Sequence, residues 1–487
     1  MKFVNKKYIL LGLIILLGLI LRLAAVFKYG NFWDDEMFNF IYSQKAWPQG
    51  LIYWLWETNP PLHLLILKIW FFIFPANELF ARLPSVLAGT ASIYFIYKLG
   101  KEIFTEKPAL LAAFYLAIHP YNIFWSATAR VYSFLMLLAI LSTFIIYKQF
   151  FSNDTPPKTK ALGAIINGLL IFSHLSSLLF LTGQFLALAI FKGKSAVFNW
   201  IKYNLIPFIL GGSWILASLY IKRNNNLGQA WFLNLSHTFN QAVSPLLNLL
   251  IGQLPIFYGL ILVFFAGLLI LHKLYKTKSA NLLFLMILIF VPIILSLGLR
   301  VWNIKFIIAI LPLMVMAISY SLSGCVKNWL AAALITCACL TGLYILRDTL
   351  PITDWQKNEA VFKQYETSDK FVFVYNSMTL KNQIDYYLNP TVAKNAKTLV
   401  FYKDMSWDEM LIKKNYIAPI QLSAEEKDNW YAASKMDNYS IVALLQNEIP
   451  NTTKLSDLFI EHGWKLKQPP IAARISGTYK LYIYEKN

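Results

Sequence analysis

Acidic residues are scarce in this chain. Of 487 residues only 25 are Asp or Glu, against 44 Lys or Arg, and charged residues make up 14% of the total. A soluble globular domain carries roughly 25%, so a wholly soluble protein is excluded before any motif is read. Disorder is excluded as well, because 57% of the residues are hydrophobic and 16% aromatic, too apolar a composition to stay unfolded. Cysteine is nearly absent. Cys325, Cys337 and Cys339 are the three, the last two inside an apolar run. They read as small core-filling residues, not as a disulfide framework or a metal site.

The scarcity of acid is uneven. Met1 to Leu350 holds 27 Lys+Arg and 9 Asp+Glu, whereas Pro351 to Asn487 holds 17 and 16. This composition step predicts two domains, 1–350 in the membrane and 351–487 soluble. The basic excess lies in short loops between apolar runs. That pattern argues against a nucleic-acid-binding stripe and for membrane topology signals.

Apolar runs fit to cross roughly 30 Å of hydrocarbon recur eleven times. They are Tyr8–Phe27, Leu83–Lys98, Ala109–Tyr121, Tyr132–Tyr147, Leu162–Phe172, Ser176–Phe191, Leu205–Ile221, Leu254–Leu271, Asn281–Leu299, Phe306–Leu322 and Trp329–Leu346. The expected fold class is a polytopic α-helical membrane protein of about eleven spans, with a small C-terminal α/β domain outside. The first run follows three lysines but is too long for a signal peptide and lacks a small-residue cleavage site, so it reads as an anchor.

Lysines at 2, 6 and 7, at 98, 101 and 107, at 148, 158 and 160, at 192 and 194, and at 273, 276 and 278 fall in alternate loops. Those loops share one face, the cytoplasmic one by the positive-inside rule. The N-terminus is then inside, and an odd number of spans puts the C-terminal domain outside. The six arginines of the membrane part, Arg22, Arg82, Arg130, Arg223, Arg300 and Arg347, all fall toward the other face. Singly they read as snorkelling anchors. Together they suggest a site for an anionic ligand, since arginine binds phosphate bidentately.

Five of the nine acids of the membrane part, Asp34, Asp35, Glu36, Glu57 and Glu78, lie in the first outer loop. That loop also carries two amphipathic segments, Asp34–Trp47 and Pro61–Phe74, which read as helices lying in the interface. Asp34, Asp35 and Glu36 follow Phe32-Trp33 directly. Three adjacent carboxylates repel, and partial burial would raise one pKa and make it a usable base. The same acids suit a helix N-terminus, with Asp34 as N-cap and the other two in the first turn; the two readings are compatible. No metal spacing is present, although three carboxylates could hold a divalent cation. Asn59-Pro60-Pro61-Leu62-His63 forms a rigid corner into the next helix. Arg130 and Tyr132 open the fourth span, His174 lies between the fifth and sixth, and Arg300, Asn303 and Lys305 precede the tenth. Each is weak alone, but all fall on one side.

These residues resemble a family, the polyprenyl-phosphate-dependent glycosyltransferases of the GT-C superfamily, specifically the bacterial relatives of protein O-mannosyltransferases and of the lipid A aminoarabinose transferase. The resemblance covers essentially the whole chain. Asp35-Glu36 matches the acidic pair after the first span, and Asn59-Pro60-Pro61-Leu62 the Pro-Pro-Leu segment. Arg82-Leu83-Pro84-Ser85 matches the entry to the second span. His119-Pro120 and Ala129-Arg130-Val131-Tyr132 match a stretch usually reading Glu-Ala-Arg-x-Tyr. Ser173-His174 matches a Thr-His, Lys305-Phe306 through Pro312 an Arg-Tyr…Pro stretch, and Asp354-Trp355 the start of the outer domain. Thr128 stands where the family often has Glu, and Lys305 where it has Arg.

The resemblance implies an inverting hexosyl or pentosyl transfer in the bacterial cytoplasmic membrane. The donor is a sugar on polyprenyl phosphate, and the acceptor is a hydroxyl of a cell-envelope glycan, lipid or protein. Asp35, with Asp34 and Glu36, would supply the base. Arg130, Arg300, Lys305 and Tyr132 would bind the donor phosphate, and Asn59, Pro60, Pro61, His63, His174 and Asn303 would line the pocket. Two rivals are a transporter or flippase of lipid-linked sugars and an idle scaffold. A transporter predicts paired repeats and mid-membrane ionisable groups, and no such repeat occurs. In the last 137 residues, Phe371–Tyr375, Leu399–Tyr402, Ile441–Leu445 and Leu481–Tyr484 are predicted strands, and Asp354–Tyr365 and Leu455–Glu461 predicted helices.

Overall fold

Each of the eleven apolar runs is mainly helical where the computed structural model describes it. The described residues are 6–57, 59–152, 159–222, 244–247, 249–250, 256–323, 328–349, 355, 370–375, 383, 386–387, 396–398, 424–447, 455–472 and 479–486. In chain order the helices are α1 (Lys6–Lys28), α2 (Asp34–Gln44), α3 (Gln49–Trp56), α4 (Leu62–Trp70), α5 (Glu78–Ile103), α6 (Glu106–Ile118), α7 (Pro120–Ser126), α8 (Tyr132–Phe150), α9 (Thr159–Ser173) and α10 (Ser177–Lys222). They continue as α11 (Ile256–Thr277), α12 (Ala280–Gly298), α13 (Ile304–Ile307), α14 (Leu311–Leu322), α15 (Asn328–Thr349), α16 (Ala424–Ala433) and α17 (Ser456–Glu461). Seven stretches among them are long and apolar enough to cross a bilayer. One of these, α10, contains two of the runs and is broken at Gly193, whose φ of 75° no helical residue adopts.

The described chain divides into two compact units. The first is Met1–Phe27, Tyr53–Ile221 and Leu227–Thr349; the second is Lys28–Ile52, Lys222–Asn226 and Leu350–Asn487.

In the first unit the helices meet through small side chains. Ala81, Ala109, Ala112, Ala113, Ala117 and Ala139 have no exposed surface. Lipid is as apolar as leucine, so such helices associate by close packing and not by escape from water. Outward-facing residues such as Ile20, Ile206 and Phe264 are exposed, as a lipid-facing surface requires. Helix ends are set locally. Asn77 caps α5 by accepting from the Phe80 N–H at 3.1 Å, and Ser279 caps α12 by accepting from Leu282 at 3.2 Å.

The expected third span, Ala109–Tyr121, is not continuous. His119 takes extended geometry (φ −68°, ψ 121°) ahead of Pro120, and the chain restarts as α7. The steric demand of a proline on the residue before it explains the break.

The lysine-bearing loops do share an end. Lys7 pairs with Glu106 at 2.9 Å and Lys148 with Glu102 at 2.6 Å. Asn281 bridges the Ile103 carbonyl (2.6 Å) and the Tyr147 hydroxyl (3.1 Å), and Lys273 donates to the Ser323 carbonyl at 2.7 Å. These contacts join residues at four of the lysine-bearing ends named above, with Ser323 beside them. They establish a common end without fixing the side of the membrane on which it lies.

Among the described residues the second unit holds a mixed sheet of six strands: β1 (Phe371–Tyr375), β2 (Ala396–Thr398), β3 (Ile441–Asn447), β4 (Lys465–Leu466), β5 (Ile471–Ala472) and β6 (Tyr479–Glu485). The order is β2-β1-β3-β6-β4, with β5 also on β6. β1 is parallel to β2 and β3, and β3 is antiparallel to β6 with Val442 opposite Tyr484. All five residues of β1 are buried, as expected of a strand covered on both faces. Val372, Val374, Val442 and Leu444 pack with Leu458, Phe459 and Trp464 on one face. Three predicted strands and the helix at 455–461 are present. The predicted strand Leu399–Tyr402 lies outside the described residues, as does Asp354–Tyr365 apart from Trp355.

The unit also takes in the acidic part of the first loop. The Trp355 N–H donates to Asn31 Oδ1 at 2.9 Å, and the Phe32 N–H to the Tyr387 hydroxyl at 2.7 Å. Phe32, Phe40 and Tyr386 form a ring cluster with centroids 4.9–6.5 Å apart. The segments Asp34–Trp47 and Pro61–Phe74 are helical as α2 and α4, with α3 between them.

Candidate functional site

The residues singled out from sequence fall into two groups, one in each unit. The acids belong to the second. α2 begins at Asp34, so the N-cap is Trp33 and not Asp34. Asp34, Asp35 and Glu36 therefore occupy the first three helical positions, where the helix dipole favours negative charge. Successive residues there point about 100° apart, and their environments differ accordingly. Glu36 is fully buried and its Oε2 accepts from the Trp33 N–H at 3.5 Å. Asp35 is half-buried. The Asp34 side chain is outside the described residues.

The phosphate-side candidates belong to the first unit, and most of them converge. α8 spans about 28 Å at 1.5 Å per residue. Lys148 near its C-terminal end is at the lysine-rich end, so Arg130 and Tyr132 at its start are at the opposite one. The Arg130 guanidinium carbon lies 6.0 Å from the Tyr132 ring centre, and Arg130 is 5% exposed. Its backbone carbonyl accepts from Ser85 Oγ at 3.0 Å, which fixes the turn. The Tyr132 ring lies 5.7 Å from His174, whose ring lies 5.5 Å from Phe306, next to Lys305. Asn303 caps α13 by accepting from the Lys305 N–H at 3.0 Å. His63 is held against Phe134 at 6.1 Å.

Both histidines are pushed down to about 3, first by burial and then by the nearby Arg130, with Lys305 adding to the effect on His174. They are therefore neutral at pH 7. His174 Nδ1 is hydrogen-bonded to Ser176 Oγ at 2.8 Å. Arg130 thus stands over the Tyr132 ring, and both Arg130 and Lys305 act electrostatically on the neutral His174. Such a site suits an anion, with aromatic surface for its apolar or sugar portion.

The remaining candidates are placed differently. Asn59 donates to Glu57 Oε1 at 3.1 Å. Pro60 is buried, and Pro61 is the N-cap of α4. Arg300 is exposed just past the end of α12 with φ 57°, unlike the buried Arg130. Thr128 is fully buried and donates to the Trp125 carbonyl at 3.1 Å. Arg22 and Arg82 do not snorkel; they are 0% and 1% exposed.

Sequence reasoning missed Ser85, Phe134, Ser176 and Phe306 as parts of this group. Ser85 and Phe306 stood inside motifs of the resemblance and Ser176 beside His174, whereas Phe134 carried no signal. Among the described residues no group of three or more His, Cys, Asp or Glu is arranged to hold a metal ion.

The family described as dolichyl-phosphate-mannose-protein mannosyltransferase matches residues 58–217. That stretch contains Arg130 and His174 but neither Asp35 nor Lys305. YycA of Bacillus subtilis (strain 168), which bears a provisional mannosyltransferase name, is 26% identical over 137 residues, 26% of this chain. The match spans only 20% of that relative's length. ArnT from Cupriavidus metallidurans in the apo state superposes with a TM-score of 0.60 at 10% identity, covering 97% of each chain. The same protein has also been solved bound to undecaprenyl phosphate. The archaeal oligosaccharyltransferase AglB from Archaeoglobus fulgidus, in complex with an inhibitory peptide and a dolichol-phosphate, gives 0.55 at 14% identity, covering 90% of this chain and 69% of its own. At such identities the likeness is one of fold.

Proposed function

We propose, from a multi-pass membrane protein built on the GT-C glycosyltransferase fold, that this chain transfers a sugar from a polyprenyl-phosphate donor to a hydroxyl acceptor. The transfer takes place at the outer face of the bacterial cytoplasmic membrane. The observation that carries this reading is the convergence of Arg130, Lys305, His63 and His174 at the end of the helices remote from the paired lysines. A relative in fold binds undecaprenyl phosphate and another dolichol-phosphate, which supports a lipid phosphate as the anion.

In the proposed step the acceptor oxygen attacks the anomeric carbon from the face opposite the leaving group, with inversion. The acceptor proton passes to Asp35, and the bond from the anomeric carbon to the phosphate oxygen breaks. The electron pair leaves with the lipid phosphate, whose developing charge Arg130 and Lys305 stabilise.

The purified protein should release sugar from a radiolabelled polyprenyl-phosphate sugar in the presence of a hydroxyl acceptor. Absence of release across mannosyl, aminoarabinosyl and arabinofuranosyl donors counts against an enzyme and for the scaffold reading. Transport of the intact donor across proteoliposomes without release identifies a flippase. Repeating the assay with a chelator shows whether the acids work through a divalent cation.

The orientation is part of the proposal. A reporter active only outside the cytoplasm should be active when fused after Asn487. An inactive reporter there, with a cytoplasmic one working, reverses the assignment of faces.

A further inference from the structure

Arg22 lies seventeen residues into α1 (Lys6–Lys28), within an otherwise apolar span, and has no exposed surface. A charged side chain in a span is rare and demands a partner. Its partners are carbonyl oxygens of the neighbouring backbone and one side-chain amide. The guanidinium donates to the Gly18 carbonyl at 2.7 Å, to the Leu116 and Ala117 carbonyls at 3.3 Å, and to Asn122 Oδ1. Leu116 and Ala117 form the last turn of α6. In an unbroken helix the Leu116 carbonyl accepts from residue 120, but Pro120 has no N–H. Helix ends leave such carbonyls without intrahelical donors, and the planar fork of arginine can serve several at once. Two glycines make the room. A Cβ on Gly18 would stand 3.0 Å from Arg22 Nη1, and one on Gly89 3.0 Å from Arg22 Nε and 2.0 Å from Ser126 Oγ.

From Asn122 the contacts run on to the anion site. Asn122 donates to Met136 Sδ at 3.4 Å, and Ser126 donates back to the Asn122 carbonyl. Ser133 donates to Ser126 at 3.3 Å, and Thr128 ties the following turn to Trp125. The Trp125 ring lies 4.2 Å from Tyr132, the ring that Arg130 faces.

We propose that Arg22 is a positioning residue for Arg130: it replaces the hydrogen bonding lost at the Pro120 break and so fixes α7 and the turn that carries Arg130. This rests on the phosphate reading of Arg130. Arg22→Met keeps length and volume but removes every donor. It should raise the donor KM on the order of tenfold, with kcat little changed in protein that still folds. Arg22→Lys, a single point charge, should rescue only in part.

Because Arg22 acts through Arg130, Arg22→Met should have no further effect on donor KM in an Arg130→Ala background. A multiplicative loss there overturns the proposal, as does an unchanged KM in folded Arg22→Met. Should Arg22→Met fail to fold, Asn122→Leu cuts the same link from the α7 side and should give the same KM rise; an unchanged KM overturns the proposal. Should Arg130→Ala itself leave donor KM unchanged, the phosphate reading fails. The positioning role is then decided by hydrogen exchange of the Ala127 and Arg130 amides, faster in Arg22→Met if the role is real and unchanged if it is not.

Discussion

Asp35→Asn should lower turnover a hundredfold to ten-thousandfold while leaving folding and donor binding intact. Loss of a positioned general base typically costs that much, roughly 3–5 kcal/mol of barrier at 1.36 kcal/mol per tenfold. Asparagine keeps the size and much of the hydrogen bonding of aspartate but cannot accept a proton from the acceptor hydroxyl. The cost to the fold should be small, since an acid in the first turn of a helix contributes about 0.3–1 kcal/mol through the dipole. Position on α2 separates the three acids. Glu36 is fully buried and turned back on the Trp33 N–H, a capping role. Asp35, one step further back, is half-buried and is the base in the proposed step. Single-turnover kinetics on the Asn variants of Asp34 and Asp35 decide between them. Near-normal turnover in Asp35→Asn with loss in Asp34→Asn moves the base to Asp34. Retention in both makes the acids helix-terminal charges and places the base elsewhere.

Arg130→Ala is expected to be nearly as damaging, and on the donor side. Removing one donor from a site that stabilises developing negative charge costs about 10²–10³ in rate, and here the binding of the ground-state phosphate weakens as well. Lys148→Ala is the control, because Lys148 is equally cationic but pairs with Glu102 at the far end of α8. A partly exposed ion pair of that kind is worth little, so donor KM should not move. Arg130→Lys should fall between wild type and alanine, since a point charge keeps attraction but loses the bidentate fork. Equal, small effects of Arg130→Ala and Lys148→Ala on donor KM and kcat would remove the anion site from the mechanism.

Much of this protein could be read from composition and order. The apolar runs became helices because hydropathy acts locally and a bilayer leaves the backbone few alternatives to intrahelical bonding. The alternate lysine loops met at one end, as Lys7 with Glu106 and Lys148 with Glu102 show. Phe371–Tyr375 and Ile441–Leu445 read as strands from their β-branched and aromatic content, and they pair in parallel. The break at His119 was also written in the sequence, since Pro120 dictates it, although the run Ala109–Tyr121 hides it when only hydropathy is read.

Tertiary structure decided the rest. Residues 28–52 group with the C-terminal segment through Asn31–Trp355 and Phe32–Tyr387, contacts across more than three hundred residues that no local pattern encodes. The same holds for burial. Arg22 and Arg130 are alike as letters in apolar surroundings, yet one closes a broken helix and the other faces Tyr132 among neutral histidines. Sequence fixes which groups can carry charge or donate hydrogen bonds. Which oxygen, ring or cation each one meets depends on packing between distant helices, and that packing sets the pKa of His174 and the company of Arg130.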